Sequence, residues 1–454
     1  MAGKDFNNEI TGSQKTWLSY EKFIFRTFFI YFIIQAVPFL DWKFYRELTT
    51  ISWTNFSYGD IFNLAHFTPR VFSGSDTYAN WIAFFIVSVF GAFAWTRADR
   101  NKTSNYENLY YWLRVIVRYR LAIAFLAYGF IKLFPLQAPY PSISNLNTAY
   151  GDFNRWKLFS LSLGIVPGYE SFLGLVEIVI GLLLLYRKTA SIAAFIALIF
   201  TGNVFMSNIA YDGGEQVYSF YLISLAIFIL IFDLHRIVHL LILQKPTAPN
   251  RFKPLFDLPW KKYGRIVLKT SFVLFFVAIY GFKVKSGYKK DPYQFPNQKG
   301  LPETAGVYNV SEFILNHDTL AYSKTDSVRW QDVVFEEWNT ISIRSNRPVI
   351  IDSGNVDHVY LQNEKRSYEL EGTGGRHYYS YESDPIHHQL ILTNRNKHYN
   401  GEKIVLHYNI EGDEIKLSGI NENSDSIQVT LNKLDKKYLL KEVEKQGRGK
   451  KIKL

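Results

Sequence analysis

Seven stretches of this chain approach the roughly 20 apolar residues needed to cross the hydrocarbon core of a bilayer, and no other feature limits the fold as much. They fall at about 22–40, 79–97, 119–136, 168–186, 189–209, 216–234 and 264–282. Backbone in hydrocarbon must satisfy its own polar groups, so each stretch is expected to be a helix. The fourth and fifth meet at Arg187-Lys188-Thr189, a joint short enough to imply an antiparallel hairpin. Beyond about residue 285 no apolar run exceeds a handful of residues, so an aqueous part follows the membrane part.

Lys and Arg are distributed unevenly over the joints. With the N-terminus inside, nineteen lie in cytoplasmic segments and five opposite: Lys43, Arg46, Arg70, Arg155 and Lys157. The asymmetry predicts a cytoplasmic N-terminus and, with an odd number of crossings, everything after residue 282 outside the cytoplasm. Residues 97–120, with YYWLRVIVRYR, are expected along the cytoplasmic interface before the third crossing. Residues 235–262, a basic linker with Pro246, Pro249 and Pro254, read in the same way, as anchors. The net charge of +11 follows from such anchoring, so nucleic acid is not an expected partner; the lipid bilayer is. The first twenty residues lack a hydrophobic core with a small-residue cleavage site, so the first membrane helix is expected to serve as the insertion signal. The chain has no cysteine, which excludes disulfides, thiol exchange, thioether-linked haem and cysteine-held iron–sulfur clusters within it. Any redox chemistry needs a borrowed carrier.

Residues 286–305 are rich in Pro, Lys and turn formers and read as a linker. Short alternating segments follow: VYNVSEFIL, SVRWQDVVFEE, TISIRS, PVIID, HVYLQ, RSYEL, HHQLILTN, EKIVLHYNI, EIKLSGI and SIQVTLNKL. Eight to ten strands at this spacing, with turns such as Glu411-Gly412-Asp413, predict an antiparallel all-β barrel or sandwich. Gly306-Val307-Tyr308 before the first strand is similar to the lipocalin opening, and both a ligand-binding and a filled barrel are open at this point. The terminal KEVEKQGRGKKIKL reads as a frayed basic tail.

Several groups that are costly in hydrocarbon stand in or beside residues 118–242. Glu177 lies about nine residues into the fourth crossing, roughly 13 Å deep at 1.5 Å per residue. Its insertion costs about 2.5 kcal/mol or more, so it must face the bundle interior and find a partner. Lys132, near the outer end of the third crossing, is the expected partner, with Tyr128 one turn before it on the same face. Glu170, Asn203, Asn208 and Asp212 are expected at the same outer mouth. Two readings stand: a polar pocket in which Lys132 and Glu177 act, with Tyr128, Glu170, Asn203, Asn208 and Asp212 binding a ligand, or an ion pair that fixes helix packing, with asparagines as interhelical glue. A metal site is not expected, since only His66 could reach over from the first outer loop, while His387, His388 and His398 lack ligand spacing. No Ser/His/Asp arrangement, P-loop or GxGxxG stands where its mechanism requires.

The stretch from YRLAIAFLAYGFIKLF through TAYGDFNRW, GLVEIVIGLLLLYRKTA and TGNVFMSNIAYD to EQVYSFYLISLAIFILIFDLHR resembles the DoxX-like family of bacterial membrane proteins. Gly129 to Lys132 match the Gly-x-x-Lys that ends that family's first helix, and Glu177 matches the Glu of its second. With EKFIFRTFFIYF, GSDTY, GVYNVSEFILN and DSVRWQDVVF the chain is similar to the long subgroup with extra N-terminal helices and a β-rich C-terminal domain. The resemblance implies an N-terminal part at 1–117, a four-helix module at 118–245, a linker and seventh helix at 246–285, and an extracytoplasmic β-domain from 286. It also implies a bacterial inner membrane, a periplasmic β-domain and association with membrane redox complexes. The expectation is therefore a redox-associated protein whose outward-facing pocket binds a quinone headgroup or small anion. Two alternatives are an assembly or scaffold protein that holds envelope partners through its β-domain, and an enzyme acting on lipid or exported polypeptide, by kinship with the vitamin K-dependent carboxylase.

Overall fold

The computed structural model describes residues 17–39, 41–70, 78–99, 106–247, 258–352, 362–421, 423–447 and 449–452, arranged in two compact units. The first unit takes in the chain to Phe134 and then Glu170–Lys290; the second takes in Pro135–Tyr169 and the chain from Asp291 on.

The first unit is helical. Its helices are α1 (Ser19–Ala36), α2 (Trp42–Thr50), α3 (Tyr58–Ala65), α4 (Tyr78–Ala98) and α5 (Glu107–Leu133), and then α8 (Pro167–Leu184), α9 (Ala190–Ala210), α10 (Gln216–Ile242) and α11 (Pro259–Lys290), with α6 (Ile143–Leu146) and α7 (Arg155–Gly164) in the second unit. Five of these are long and apolar enough to span a membrane: α4, α8, α9, α10 and α11. Two of the seven expected crossings fall short on charge: α1 carries Glu21, Lys22 and Arg26, and α5 carries Glu107, Arg114, Arg118, Arg120 and Lys132. The aromatic-basic stretch before the third crossing is a finding against expectation. It is the first half of α5, which runs unbroken for 27 residues and buries Leu113, Val117 and Arg120. Of the basic linker at 235–262, Pro249 and Pro254 lie outside the described residues.

Burial divides the helices as membrane insertion requires. Ala190, Ala193, Ala194 and Ala197 form the inner face of α9, packed in one cluster with Leu121 and Phe125 of α5, Ile180 and Leu184 of α8, and Leu225 and Ile229 of α10. The same helix leaves Ile192, Phe195 and Ile199 on its outer surface. Large apolar residues outside and small ones inside are the pattern of helices whose solvent is lipid. Helices α5 and α8 approach closely at two glycines. A Cβ on Gly174 would stand 2.3 Å from Leu133 N and 2.5 Å from Gly129 O, and one on Gly129 would stand 2.9 Å from Ile178 N. Only glycine at both positions allows this crossing, which Ser171 reinforces by donating to Leu133 O at 3.0 Å.

The second unit is a closed antiparallel barrel with an insertion folded onto it. Its strands are β1 (Gly306–Leu315), the two-residue β2 (Asp318–Thr319), β3 (Asp332–Phe335), β4 (Thr340–Arg344), β5 (His377–Asp384), β6 (Gln389–Asn394), β7 (Lys403–Glu411), β8 (Glu414–Ile420) and β9 (Ser426–Lys433). Each strand from β3 onward pairs with the next, and β1 pairs with both β3 and β9, so eight strands close the ring. The expected turn at Gly412, with φ of 64°, closes the β7–β8 hairpin. Inward positions carry Val310, Phe335, Ile343, Leu392, Leu406, Leu417 and Val429, a contiguous apolar filling. PVIID at 348–352 and RSYEL at 366–370 are not strands, and HVYLQ, up to residue 361, lies outside the described residues. The strand that sequence reading passed over is β5, whose polar HYYSYESD follows Gly374-Gly375. The tail forms a helix, α12 (Leu439–Gln446), with no buried residue.

Residues 135–169, with α6 (Ile143–Leu146) and α7 (Arg155–Gly164), belong to this unit through specific bonds. Ser144 N and Ile143 N donate to the Glu336 carboxylate at 2.7 and 3.1 Å, and Asn145 Nδ2 donates to Glu369 O at 2.9 Å. Lys157 is fully buried and donates to Tyr368 O. Four helices of spanning length and apolarity, α8–α11, separate the two segments that make up this unit.

Two outcomes follow from these contacts. Gly174→Ala should destabilise the bundle by about 1–3 kcal/mol by forcing α5 and α8 apart. Gly202→Ala on α9, where nothing lies within 4 Å of an added Cβ, should leave the detergent unfolding midpoint unchanged or raised. In the second unit, burial pushes Lys157 down to about 7 and Glu336 up to about 7. Protonating the folded lysine is therefore harder than protonating the unfolded one, and stability should rise as pH goes from about 7 to 9. Glu336 acts oppositely and only below about 7, where stability should fall as pH rises from 4.5. Hydrogen exchange of the barrel strands, corrected for intrinsic rate, should show the rising limb in the wild type and lose it in Lys157→Met.

Candidate functional site

The glycine crossing fixes where the two costly groups of α5 and α8 meet. Lys132, in the last turn of α5, places Nζ 2.6 Å from Glu177 Oε1, with the side chains 12% and 6% exposed. The second carboxylate oxygen, Oε2, is buried with no hydrogen-bond partner among the described residues. Lys132 Nζ also stands 5.5 Å from the Tyr128 ring centroid and 5.7 Å from that of Phe200 on α9. One carboxylate oxygen is thus tied to a cation against two aromatic faces, while the other is turned inward without a donor.

Tyr128 joins this pair to a second one. Its ring lies 5.7 Å from that of His66 and 5.8 Å from that of Tyr218. His66, the C-cap of α3, places Nε2 3.1 Å from Glu215 Oε2, and both side chains are 12% exposed. Glu215 is held by the turn between α9 and α10: its N–H donates to Asn208 Oδ1 at 3.3 Å, and Asn208 Nδ2 donates to Val204 O at 3.0 Å. Asn208 is accordingly a positioning residue for Glu215.

Arg120 extends the polar interior along α5. It is buried at mid-helix, donates from Nη2 to Phe67 O at 2.6 Å, and lies over the rings of Phe67 at 4.3 Å and Tyr221 at 5.3 Å. The Tyr218 and Tyr221 hydroxyls are its hydrogen-bonding and electrostatic neighbours, and no carboxylate among the described residues comes within ion-pairing distance. The structure thus brings Lys132, Glu177 and Tyr128 together, with Asn208 in support. Glu170 is buried in the first turn of α8. Asn203 is exposed on α9, and Asp212 is exposed in the turn between α9 and α10 with φ of 54°. The left-handed backbone at Asp212 reverses the chain, a local role.

The sequence marks His66 as able to reach over from the first outer loop but does not mark Glu215, Tyr218 or Arg120 as members. Glu215 reads as a solvated loop residue, and Arg120 counts with the basic flank of α5 because charge counting cannot see where a helix begins. The signal for Arg120 was its place directly before LAIAFLAYGF, inside a helix and not ahead of one. No group of three His, Asp or Glu with metal-holding geometry occurs among the described residues. A charged donor, a carboxylate with one open oxygen, a tyrosine and a His–Glu pair suit hydrogen bonding to a small oxygen-bearing group and proton exchange with it.

Comparison with protein-family models, characterised proteins and solved structures returns no match to this chain.

The ion pair itself can be tested by replacement. Lys132→Met alone strands a buried carboxylate and should cost about 3–5 kcal/mol, whereas Lys132→Met with Glu177→Leu should recover most of that loss. Unfolding of the purified single and double variants in mild detergent reads the difference.

Proposed function

We propose that this chain is an integral membrane protein whose bundle interior binds a small oxygen-bearing ligand, a quinone headgroup or small anion, at Lys132, Glu177 and Tyr128. The observation that carries the reading is the buried Glu177 Oε2 without a donor beside a lysine already in place. An unsatisfied buried carboxylate oxygen costs about 1–3 kcal/mol or more, and an O–H donated to it by the ligand in its protonated form, a quinol or the conjugate acid of a small anion, removes that cost. In this role Lys132 Nζ donates to the ligand oxygen, Glu177 exchanges a proton with it, and Tyr128 and Phe200 flank the ring. His66 and Glu215 form a further titratable pair beyond Tyr128.

Kinship with the DoxX-like family, a redox-associated role and a bacterial inner membrane belong to the same proposal. They rest on the Gly129-to-Lys132 and Glu177 pattern and on the excess of Lys and Arg in alternate joints, which persists with Arg120 set aside. On that count the N-terminus is cytoplasmic and the β-unit periplasmic. A second reading, an assembly protein that holds an envelope partner through the β-unit, is favoured by the directness of the 2.6 Å Lys132–Glu177 contact, which suits a packing pair as well as a site.

Solvent extraction of the purified protein, with titration by a soluble short-chain quinone and by small anions, separates the two. The ligand-site reading expects saturable binding of one of these that weakens at least about tenfold in Glu177→Gln while the protein stays folded. Absence of binding, together with one stoichiometric envelope partner retained by Lys132→Met/Glu177→Leu, would establish the scaffold reading instead.

A further inference from the structure

A second, partly buried group of charges, which the ligand site does not use, lies among α5, the α8–α9 joint and α10. Arg114 and Arg118 lie one turn apart on α5, Arg187 lies in the α8–α9 joint, and Asp233 and Arg236 lie near the end of α10. Arg236 Nη1 stands 2.7 Å from Asp233 Oδ1 and Arg114 Nη2 stands 3.7 Å from Oδ2, to which the Ser191 hydroxyl also donates. Arg187 is in electrostatic contact with both Arg114 and Arg118. Two arginines from two elements therefore engage Asp233, with Arg118 one turn along α5 from Arg114 and Arg187 in the electrostatic range of both.

Two of the guanidinium groups still offer donors. Arg114 Nε and Arg118 Nε are buried without a hydrogen-bond partner among the described residues, while Arg118 otherwise bonds Tyr119, whose ring lies 5.7 Å from its Cζ. The Phe232 ring, 3.5 Å from Arg114 Cζ, holds that guanidinium in place. Topological anchors of the ordinary kind extend singly toward water, as Arg97 does beside Phe93 at 4.9 Å. Convergence of like charges on a partly buried spot is unfavourable unless an anion completes it, and planar guanidinium forks match phosphate oxygens in pairs. Exposed Tyr186, Ile231 and Leu234 provide apolar surface next to it.

We propose that Arg114, Arg118, Arg187 and Arg236 form a binding site for the phosphate of an anionic phospholipid, whose acyl chains lie on the neighbouring apolar surface. Basic pockets between membrane helices take such headgroups. The site is independent of the Lys132–Glu177 reading.

The test uses the full-length protein in mild detergent, exposed to equal amounts of phosphatidylglycerol and phosphatidylcholine, with retained lipid read by native mass spectrometry. Phosphatidylglycerol should be retained in at least about tenfold preference, and Arg118→Gln, which strands no carboxylate, should abolish that preference. Arg97→Gln should keep it. If Arg118→Gln does not fold, Arg118→Lys keeps the charge without the fork and should lower the preference. Equal retention of the two lipids by the wild type, or an unchanged preference in the folded Arg118 variants, overturns the proposal. A rise in Tm with inorganic phosphate equal to that with phosphatidylglycerol also overturns it, assigning the site to free phosphate.

Discussion

The backbone contact between α5 and α8 at Gly129 and Gly174 is the constraint on which the first unit depends. Two helices can approach this closely only where neither carries a Cβ, and the approach sets the distance over which Lys132 can reach Glu177. In hydrocarbon a lone charge on either helix would be costly, so the crossing and the ion pair stabilise one another. The same proximity brings Phe200 and Tyr128 against the lysine, and through Tyr128 the His66–Glu215 pair. One short contact therefore orders the polar interior from Glu177 to Glu215.

The second unit solves the same problem in the opposite way. Its barrel interior is apolar, and its charges gather where the 135–169 insertion meets the strands: Glu336 accepts from Ser144 and Ile143, Arg376 pairs with Asp332 at 2.6 Å, and Glu369 pairs with Arg395. These groups are buried with partners, so they specify how the insertion docks more than they add net stability.

Membrane character, helix positions and the pairing of Lys132 with Glu177 were legible in the sequence, because a carboxylate amid LGLVEIVIGL has few ways to be tolerated. The barrel was legible from alternation in β1, β4 and β6–β9. Strand β5 was not, since its apolar content resides in tyrosines and it follows two glycines. RSYEL misled because Arg366 and Glu369 are buried in ion pairs, which apolar patterning cannot register. Asn203 and Asp212 were placed at the site by their polarity, yet one faces away from the helix cluster and the other reverses a turn. Glu215 and Tyr218 entered the polar interior through tertiary packing that their local sequence does not signal.

The central claim is that Glu177 Oε2 faces a ligand and not a void in a packing contact. An experimental density map of the full-length protein in lipid nanodiscs tests it most directly. The account predicts non-protein density within hydrogen-bonding distance of Oε2 and of Lys132 Nζ, bounded by Tyr128 and Phe200. A closed ion pair with side chains packed against Oε2 and no density beside it would contradict the account and leave Lys132–Glu177 as a structural staple.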